Sequence, residues 1–195
     1  MASVAVYDAC VLYPAPVRDL LLRVAAAGVV RARWSDAILD ECFRSVRADR
    51  PDLDPQKLAR TRALMIRAVP DCLVTGYEHH VASLELSDPD DRHVFAVAIH
   101  AQAEAIVTFN VRDFPEPVLA RRGVRAAHPD TFVLHALDVA PSTVAQCVAA
   151  QAAALRHAPV SVPELLDVLA RVGLPRAAGR LREVFGDGGG RASAS

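Results

Sequence analysis

SDPDDRHVFAVAIHAQAEAIVTFNVRDF, residues Ser87–Phe114, contains the start of a helix and, further on, a strand. Acids and a proline open it, and an apolar run with helical spacing follows from Val94 to Ala101. The dipeptide Asp88-Pro89 interrupts whatever secondary structure precedes it. Acids in a first turn accept the unpaired amides and face the positive end of the helix dipole. We therefore predict a helix that begins at the acidic turn.

A short apolar run, AIVTF at Ala105–Phe109, comes after this helix. Its length, its β-prone residues and its polar flanks predict a buried strand of a parallel sheet. Asn110, Arg112 and Asp113 follow it directly. Open α/β sheets bind ligands beyond the carboxyl ends of their strands. We therefore expect these polar side chains to lie near a site.

The composition indicates one α/β domain with an extension. The chain has 195 residues, of which 52% are apolar and 5% aromatic, so it can bury a core built from Ala, Val and Leu. This excludes disorder for most of the chain. The 22 basic residues nearly cancel the 23 acidic ones, giving a net charge of -1. That balance neither requires nor excludes nucleic acid, because binding depends on where the charges lie.

The cysteines and the hydropathy pattern predict a soluble, cytoplasmic protein. No two cysteines have the C-x-x-C spacing of a zinc or redox site, so we interpret them as small buried residues in a reducing compartment; they are Cys10, Cys42, Cys72 and Cys147. No apolar run approaches the length of a membrane span, and no basic leader precedes an apolar stretch at the start.

Further elements follow from the same signals. Strands are predicted at Val4–Tyr7, Val29–Trp34, Cys72–Thr75 and Val124–Ala127. Two helices are predicted from their caps: one follows Ser35, and one at Pro55–Val69 follows Asp54. Further helices are predicted at Pro14–Ala27, Glu78–Leu86, Pro129–Leu137, Pro141–Arg156, Val162–Val172 and Leu174–Phe185. We therefore divide the chain into a core domain, 1–140, a helical extension, 141–185, and a tail, 186–195, that we expect to be disordered.

Four acids stand at positions that a parallel sheet can bring together. They are Asp8 after the first strand, Glu41 beside the apolar face of the second long helix, Asp91 at a helix start and Asp113 after the AIVTF strand. Each alone is more simply a cap or a rim residue. If the two strands are neighbours, however, their carboxyl ends share one crevice. Carboxylates so close repel each other, and Mg²⁺ or Mn²⁺, which prefers carboxylate and water ligands, would hold them together.

Four motifs in this order resemble the motif regions of the PIN-domain nucleases. They are VYDACVLYP, WSDAILDE, DPDDRHVFAVAI and IVTFNVRDFP, the last containing an intact T-x-N-x-x-D-F. The resemblance covers about the first two thirds of the chain and is strongest to the bacterial group that includes VapC-type toxins. It implies a PIN-like, Rossmann- or flavodoxin-like, three-layer α/β/α sandwich around a parallel sheet, here with a C-terminal helical extension.

The same resemblance implies an Mg²⁺- or Mn²⁺-dependent endoribonuclease that hydrolyses single-stranded RNA as the toxin of a type II toxin–antitoxin pair. RNA, a cognate antitoxin and a second copy of the chain are the implied partners, and a membrane is not among them. The helices from Pro141 onward depart from the minimal toxin. Dimer geometry and an antitoxin groove are therefore not carried over.

The resemblance also assigns site residues. It matches the catalytic and metal-binding acids to Asp8, Glu41, Asp91 and Asp113. Thr108 and Asn110 match the polar pair that supports the site. Asp90 competes with Asp91 for the third position, and we favour Asp91 for its seven-residue spacing to the small Ala98 on the same helix face. The neighbouring aspartates are then capping or solvated residues.

Three arginines are candidate phosphate contacts, because a guanidinium holds phosphate oxygens bidentately. Arg92 and Arg112 adjoin the acids, and Arg44 follows Glu41 on the exposed side of its helix. For each arginine a surface ion pair with a neighbouring aspartate is the simpler interpretation, and we favour it.

Three other interpretations remain to be compared. A catalytically silent PIN-like domain would bind RNA or a protein without cleaving. A haloacid-dehalogenase-like phosphatase needs a second aspartate two residues after the first, where this chain has Cys10. Zinc sites built on His93 with His100, or on His79 with His80, lack the usual ligand spacing and a nearby cysteine, so we interpret these histidines as core or surface residues.

Overall fold

A computed structural model describes residues 2–86, 88–154 and 160–189. Its strands form one parallel sheet in the order β2-β1-β3-β4. They are β1 (Val4–Tyr7), β2 (Arg31–Arg33), β3 (Ala105–Val107) and β4 (Arg125–Ala127). In the central pair Val6 lies opposite Ile106, and both are fully buried. The predicted parallel sheet, with β1 beside β3, is confirmed.

The helices cover this sheet in a three-layer α/β/α arrangement, which confirms the predicted architecture. Those of the first part are α1 (Ala9–Leu12), α2 (Ala15–Ala26), α3 (Asp36–Asp49), α4 (Pro55–Ala68), α5 (Glu78–Val81), α6 (Arg92–His100) and α7 (Glu116–Leu119). Four more follow: α8 (Pro129–Val139), α9 (Pro141–Ala154), α10 (Val162–Arg171) and α11 (Pro175–Gly189). Short 3-10 turns occupy Pro89–Asp91, Val111–Asp113 and Ala120–Arg122.

Local capping explains several helix starts. The Ser35 hydroxyl accepts the Ile38 N–H at 3.3 Å, and the Asp54 carboxylate accepts the Gln56 N–H at 2.8 Å, as predicted. Gly28 follows α2 with φ +77°, a left-handed conformation that ends the helix. The acidic turn is a 3-10 turn, so α6 itself begins at Arg92.

Two predicted strands differ from the structure. At Cys72–Thr75 there is a single parallel bridge, Trp34 to Leu73, instead of a strand. The backbone turns on either side of it, at Asp71 with φ 56° and Gly76 with φ 78°, so the pairing cannot extend. The AIVTF strand stops at Val107, because the chain leaves the ladder as it enters the loop that carries the polar residues.

The C-terminal helices pack on one another and on the start of α2. The buried Asp130 carboxylate on α8 accepts the backbone N–H groups of Arg176 and Ala177, at 3.3 and 2.8 Å, and so caps α11. Gln151 on α9 donates to the Pro16 carbonyl oxygen at 2.9 Å. α11 continues to Gly189, past the predicted end at Phe185, and the rest of the predicted tail, 190–195, lies outside the described residues.

No helix in the described ranges combines the length and the apolar character that crossing a bilayer requires.

Candidate active site

Asp8 and Thr108 meet because β1 and β3 are neighbours. Asp8 follows β1, is 4% exposed, and accepts the Ala9 N–H at 2.7 Å through Oδ1. Its Oδ2 accepts the Thr108 hydroxyl at 2.7 Å. Thr108 follows β3 and is fully buried. One carboxylate is thus fixed in orientation at the carboxyl edge of the sheet.

Asn110 supports this pair through its main chain. Its backbone N–H donates to Thr108 Oγ1 at 3.0 Å, which leaves the threonine hydroxyl hydrogen for Asp8. The Asn110 residue is exposed, and its side chain makes no hydrogen bond with the described residues. The resemblance implied a supporting role for the pair, and Asn110 makes its contact through the backbone.

Asp91 faces the other acids. Its pKa is raised to about 7, first by burial and then by the negative charges of four acids: Asp8, Asp88, Asp113 and Glu41. A carboxyl group that stays protonated near neutral pH marks a place where a cation would be stabilised. The charges of the other three predicted acids therefore act on Asp91, although the four come from separate parts of the chain.

Glu41 enters the same cluster from α3. Burial raises its pKa, as do the charges of Asp8 and Asp90, while His93 and Arg44 oppose this rise. The Nε2 atom of His93 lies 3.7 Å from Glu41 Oε2. Glu41 is thus a half-shielded acid with a histidine against it.

The neighbouring aspartates differ in what they do. The Asp88 carboxylate accepts the Asp90 N–H at 2.9 Å and caps the 3-10 turn, as predicted for a capping residue. Asp90 is exposed, whereas Asp91 is partly shielded and makes no capping hydrogen bond. Asp113, also partly shielded, closes the 3-10 turn after β3. The oxygens of Asp91 are thus available to a ligand.

Two residues of the site were not anticipated from the sequence. Cys10, interpreted as a small apolar residue, places Sγ 3.1 Å from Asp8 Oδ2 and accepts the Phe109 N–H at 3.2 Å. Burial, followed by the charge of Asp8, raises the pKa of this thiol to about 12. His93, interpreted as a core or surface residue, lies against Glu41. The signal in the sequence was their position, each two residues after a predicted site acid.

The arginines surround the acids without pairing with them. Arg44 and Arg112 are exposed, and Arg92 is partly buried with its Nε lacking a hydrogen-bond partner among the described residues. None of the three forms an ion pair with an acid that the structure describes, so the favoured ion-pair interpretation is wrong for those acids. Arg44 also lines an open groove of about 420 Å³ between α3 and α4, with Arg47 and Arg62.

The donor set fits a hard divalent ion. The side chains in the cluster offer carboxylate oxygens, which Mg²⁺ and Mn²⁺ prefer, and an ion would replace the proton that Asp91 otherwise holds. Among the described residues the acids do not bring three oxygens within 4.8 Å of one another. Mg²⁺ keeps several of its waters, so that spacing suits an ion that contacts some acids directly and others through water.

Comparison with known proteins identifies the family of this chain. The PIN domain family matches residues 4–112, and the family described as VapC50 C-terminal domain matches residues 129–183. A protein of Mycobacterium tuberculosis named "Putative ribonuclease VapC50" is 33% identical over 113 residues, which are 58% of this chain and 66%, just under two thirds, of that relative. No solved structure matches. The PIN match spans more than half of the chain, which therefore belongs to the PIN-domain family, with similarity to VapC-type proteins.

Proposed function

We propose that this protein is an Mg²⁺- or Mn²⁺-dependent endoribonuclease that hydrolyses phosphodiesters of single-stranded RNA, as the toxin of a type II toxin–antitoxin pair. One observation carries the proposal: burial, together with the negative charges of Asp8, Asp88, Asp113 and Glu41, raises the pKa of Asp91 to about 7. Such a cluster is costly for a merely structural role, because each ionised acid destabilises the others. The relative named as a ribonuclease supports the choice of substrate class.

In this proposal Asp8, Asp91 and Asp113 hold the ion, and Glu41 is a further ligand or acts through water. An ion held by these acids would supply Lewis acidity toward a water molecule and toward the phosphate oxygens. Thr108 keeps Asp8 in one orientation through the 2.7 Å hydrogen bond.

His93 adds a titratable group beside Glu41. Its Nδ1 lies 2.7 Å from the Asp90 carbonyl oxygen, and its Nε2 faces Glu41 Oε2 at 3.7 Å. When protonated, the imidazolium favours the ionised form of Glu41, which is the form that binds a cation. His93 is therefore a positioning residue in this scheme, acting through Glu41.

Arg92, Arg112 and Arg44 are the proposed contacts to RNA phosphates. The two exposed arginines are solvated, and none of the three is paired with a described acid, so their guanidinium groups are available to phosphate oxygens. Arg44 lies near Glu41, and its charge opposes the rise in the pKa of Glu41. Arg44 would hold the RNA strand beside the acids.

RNA cleavage by purified variants tests the proposal. Wild type, Asp8→Asn, Asp91→Asn and the matched control Asp90→Asn are incubated with end-labelled single-stranded RNA and Mg²⁺ or Mn²⁺, with and without chelator. We expect Asp8→Asn and Asp91→Asn to lower the cleavage rate by about 100-fold or more, and Asp90→Asn to leave it within about threefold. Chelator abolishes the wild-type activity.

The control outcomes separate the alternatives. Equal cleavage by wild type and Asp91→Asn identifies a contaminating nuclease and overturns the assignment of the site. RNA binding without cleavage, combined with a melting temperature that does not respond to Mg²⁺ or Mn²⁺, identifies a catalytically silent domain instead, because an ion bound only by the folded state must stabilise it.

The proposed partners follow from the toxin assignment. We propose a homodimer that acts on cellular RNA in the cytoplasm and is restrained by an antitoxin encoded beside it. Light scattering on the purified chain, whose mass is 20.9 kDa, distinguishes monomer from dimer. Co-expression with the product of the adjacent upstream reading frame, followed by the RNA cleavage assay, tests the restraint. We also propose that 1–140 forms the nuclease unit and 141–185 the helical extension.

A further inference from the structure

Three imidazoles meet outside the acidic cluster. His79 and His80 lie on α5, and His100 is the last residue of α6. One ligand atom from each lies within 4.8 Å of the other two. The ring centroids of His79 and His80 are 3.9 Å apart, and each is 5.9 Å from that of His100. The histidine pairs within α5 or within α6 do not have the sequence spacing of a usual zinc site. The group of three forms only because α5 packs on α6.

The backbone around the group restricts the His100 ring. Gly76, in the turn before α5, has φ 78°, and a Cβ at this position would lie 3.7 Å from His100 Cε1 and 3.9 Å from Nε2. The turn therefore passes directly beside the imidazole. The His100 ring thus lies close both to this turn and to the two histidines of α5.

The surroundings of His80 favour its neutral form. Partial burial lowers the pKa of His80, and so do His79, His100 and Arg122. A neutral imidazole is the form that binds a metal. His100 also lies in the last turn of α6, where the helix dipole favours a cation, although Arg122 opposes one.

This group is separate from the proposed nuclease site. Asp91 precedes α6 and His100 ends it, so the two lie about 14 Å apart along the helix axis at 1.5 Å per residue. The ligand chemistry differs as well, because one end of α6 presents oxygen donors and the other presents imidazole nitrogens. Zn²⁺, Ni²⁺ and Cu²⁺ prefer imidazole, whereas Mg²⁺ and Mn²⁺ prefer carboxylate.

We propose that His79, His80 and His100 form a second metal site, which takes Zn²⁺ with a water in the fourth position. Tetrahedral zinc at about 2.05 Å from each nitrogen places the nitrogens about 3.4 Å apart. The ligand atoms lie within 4.8 Å of one another and two of the three histidines are exposed, so side-chain rotations can bring the nitrogens to that separation. The ion would link α5 to the C-terminal end of α6. It would thereby stabilise the position of α5, which precedes the acidic turn in the chain.

Zinc binding to the full chain, with any affinity tag removed, tests this proposal. Chelator-treated protein is dialysed against Zn²⁺ in excess Mg²⁺, which occupies the acidic cluster, and bound zinc is counted. We expect one equivalent for wild type and for Asp91→Asn. His79→Ala and His100→Ala should each weaken zinc binding at least about tenfold. The matched control His135→Ala, an exposed histidine on α8, should bind as wild type does.

The outcomes decide the proposal in either direction. It fails if wild type binds no zinc, or if zinc binding survives in His100→Ala and disappears in Asp91→Asn. The far-ultraviolet circular dichroism of each zinc-free variant checks its fold. Co²⁺ bound to wild type gives a second readout that needs no variant. Strong visible bands indicate the four-coordinate site expected for three imidazoles and a water, whereas the weak bands of an octahedral oxygen site overturn the assignment.

Discussion

Thr108 Oγ1 donates a 2.7 Å hydrogen bond to Asp8 Oδ2, and the two residues are 100 positions apart in the chain. The bond exists because β1 and β3 are adjacent and parallel, which brings the residues after each strand to the same edge. Both residues are buried, so the hydroxyl is held against the carboxylate without competition from bulk water. The orientation of Asp8 thus depends on a partner from another motif.

Replacing Thr108 by valine tests this contact. Thr108→Val keeps the shape but removes the donor to Asp8 and the acceptor for the Asn110 N–H. We expect the free energy of unfolding to fall by about 2 kcal/mol, and RNA cleavage to fall by roughly 10- to 100-fold. The control Thr61→Val, which removes a hydroxyl bonded to the Lys57 carbonyl oxygen on α4, should change cleavage little. Equal cleavage by both variants would show that the bond has no role in activity.

Asp91 makes the stability of the metal-free protein depend on pH. Its pKa is about 7 in the folded state, against an ordinary value of 3.8, so between these values the folded state holds a proton that the unfolded state has lost. The contribution of this carboxyl to stability therefore falls as pH rises from about 4 to about 7. We expect Asp91→Asn, which removes the ionisable group, to be more stable than wild type at pH about 8 and to lose that advantage near pH 4.

Chemical denaturation of both proteins across this range, with chelator present, measures the difference. The comparison cancels the contributions of acids that do not interact with Asp91, because both proteins contain them. Adding Mg²⁺ or Mn²⁺ at the higher pH should then stabilise wild type more than Asp91→Asn. A stability difference that does not vary with pH would contradict the raised pKa of Asp91.

His93 should influence the pH profile of cleavage through Glu41. Its charge opposes the rise in the pKa of Glu41, so His93→Gln should raise that pKa further. We expect the acidic limb of the rate against pH to move to higher pH, while the rate on the plateau changes less. The control is His135→Gln, at an exposed position on α8. An unshifted limb would mean that Glu41 does not govern it.

Gly173, between α10 and α11, lies close against the ring of Phe109. It has φ 104°, and a Cβ here would lie 2.6 Å from Phe109 Cε1. Phe109 in turn donates its backbone N–H to Cys10. We expect Gly173→Ala to lower the free energy of unfolding by roughly 1 to 3 kcal/mol, because both the backbone and the ring must move.

Thermal and chemical denaturation measure this effect against Gly179→Ala. Gly179 lies inside α11, and a Cβ added there would meet no atom within 4 Å, so alanine should stabilise the fold by about 0.5 to 1 kcal/mol. If the two alanine variants are equally stable, the close approach of Gly173 to Phe109 is not a constraint in solution.

The local signals along the chain predicted most elements of the fold. Each of these signals depends on only a few neighbouring residues, and each is found in the structure: the acidic turn before α6, the caps Ser35 and Asp54, and the apolar runs of β1 and β3. The predicted strand around Leu73 is only a single bridge in the structure. Backbone turns on both sides limit its length, and the hydrophobic pattern of the sequence does not reveal such turns. Four motifs in order were enough to indicate the family.

The sequence by itself determined which residues were candidates: the four acids, and the strands and helix starts that carry them. Tertiary structure alone decided the contacts between them. It placed Thr108 against Asp8, His93 against Glu41, and the histidines of α5 against His100. The physical reason is that secondary structure follows from neighbours along the chain, whereas side-chain distances and pKa shifts follow from the packing of distant segments.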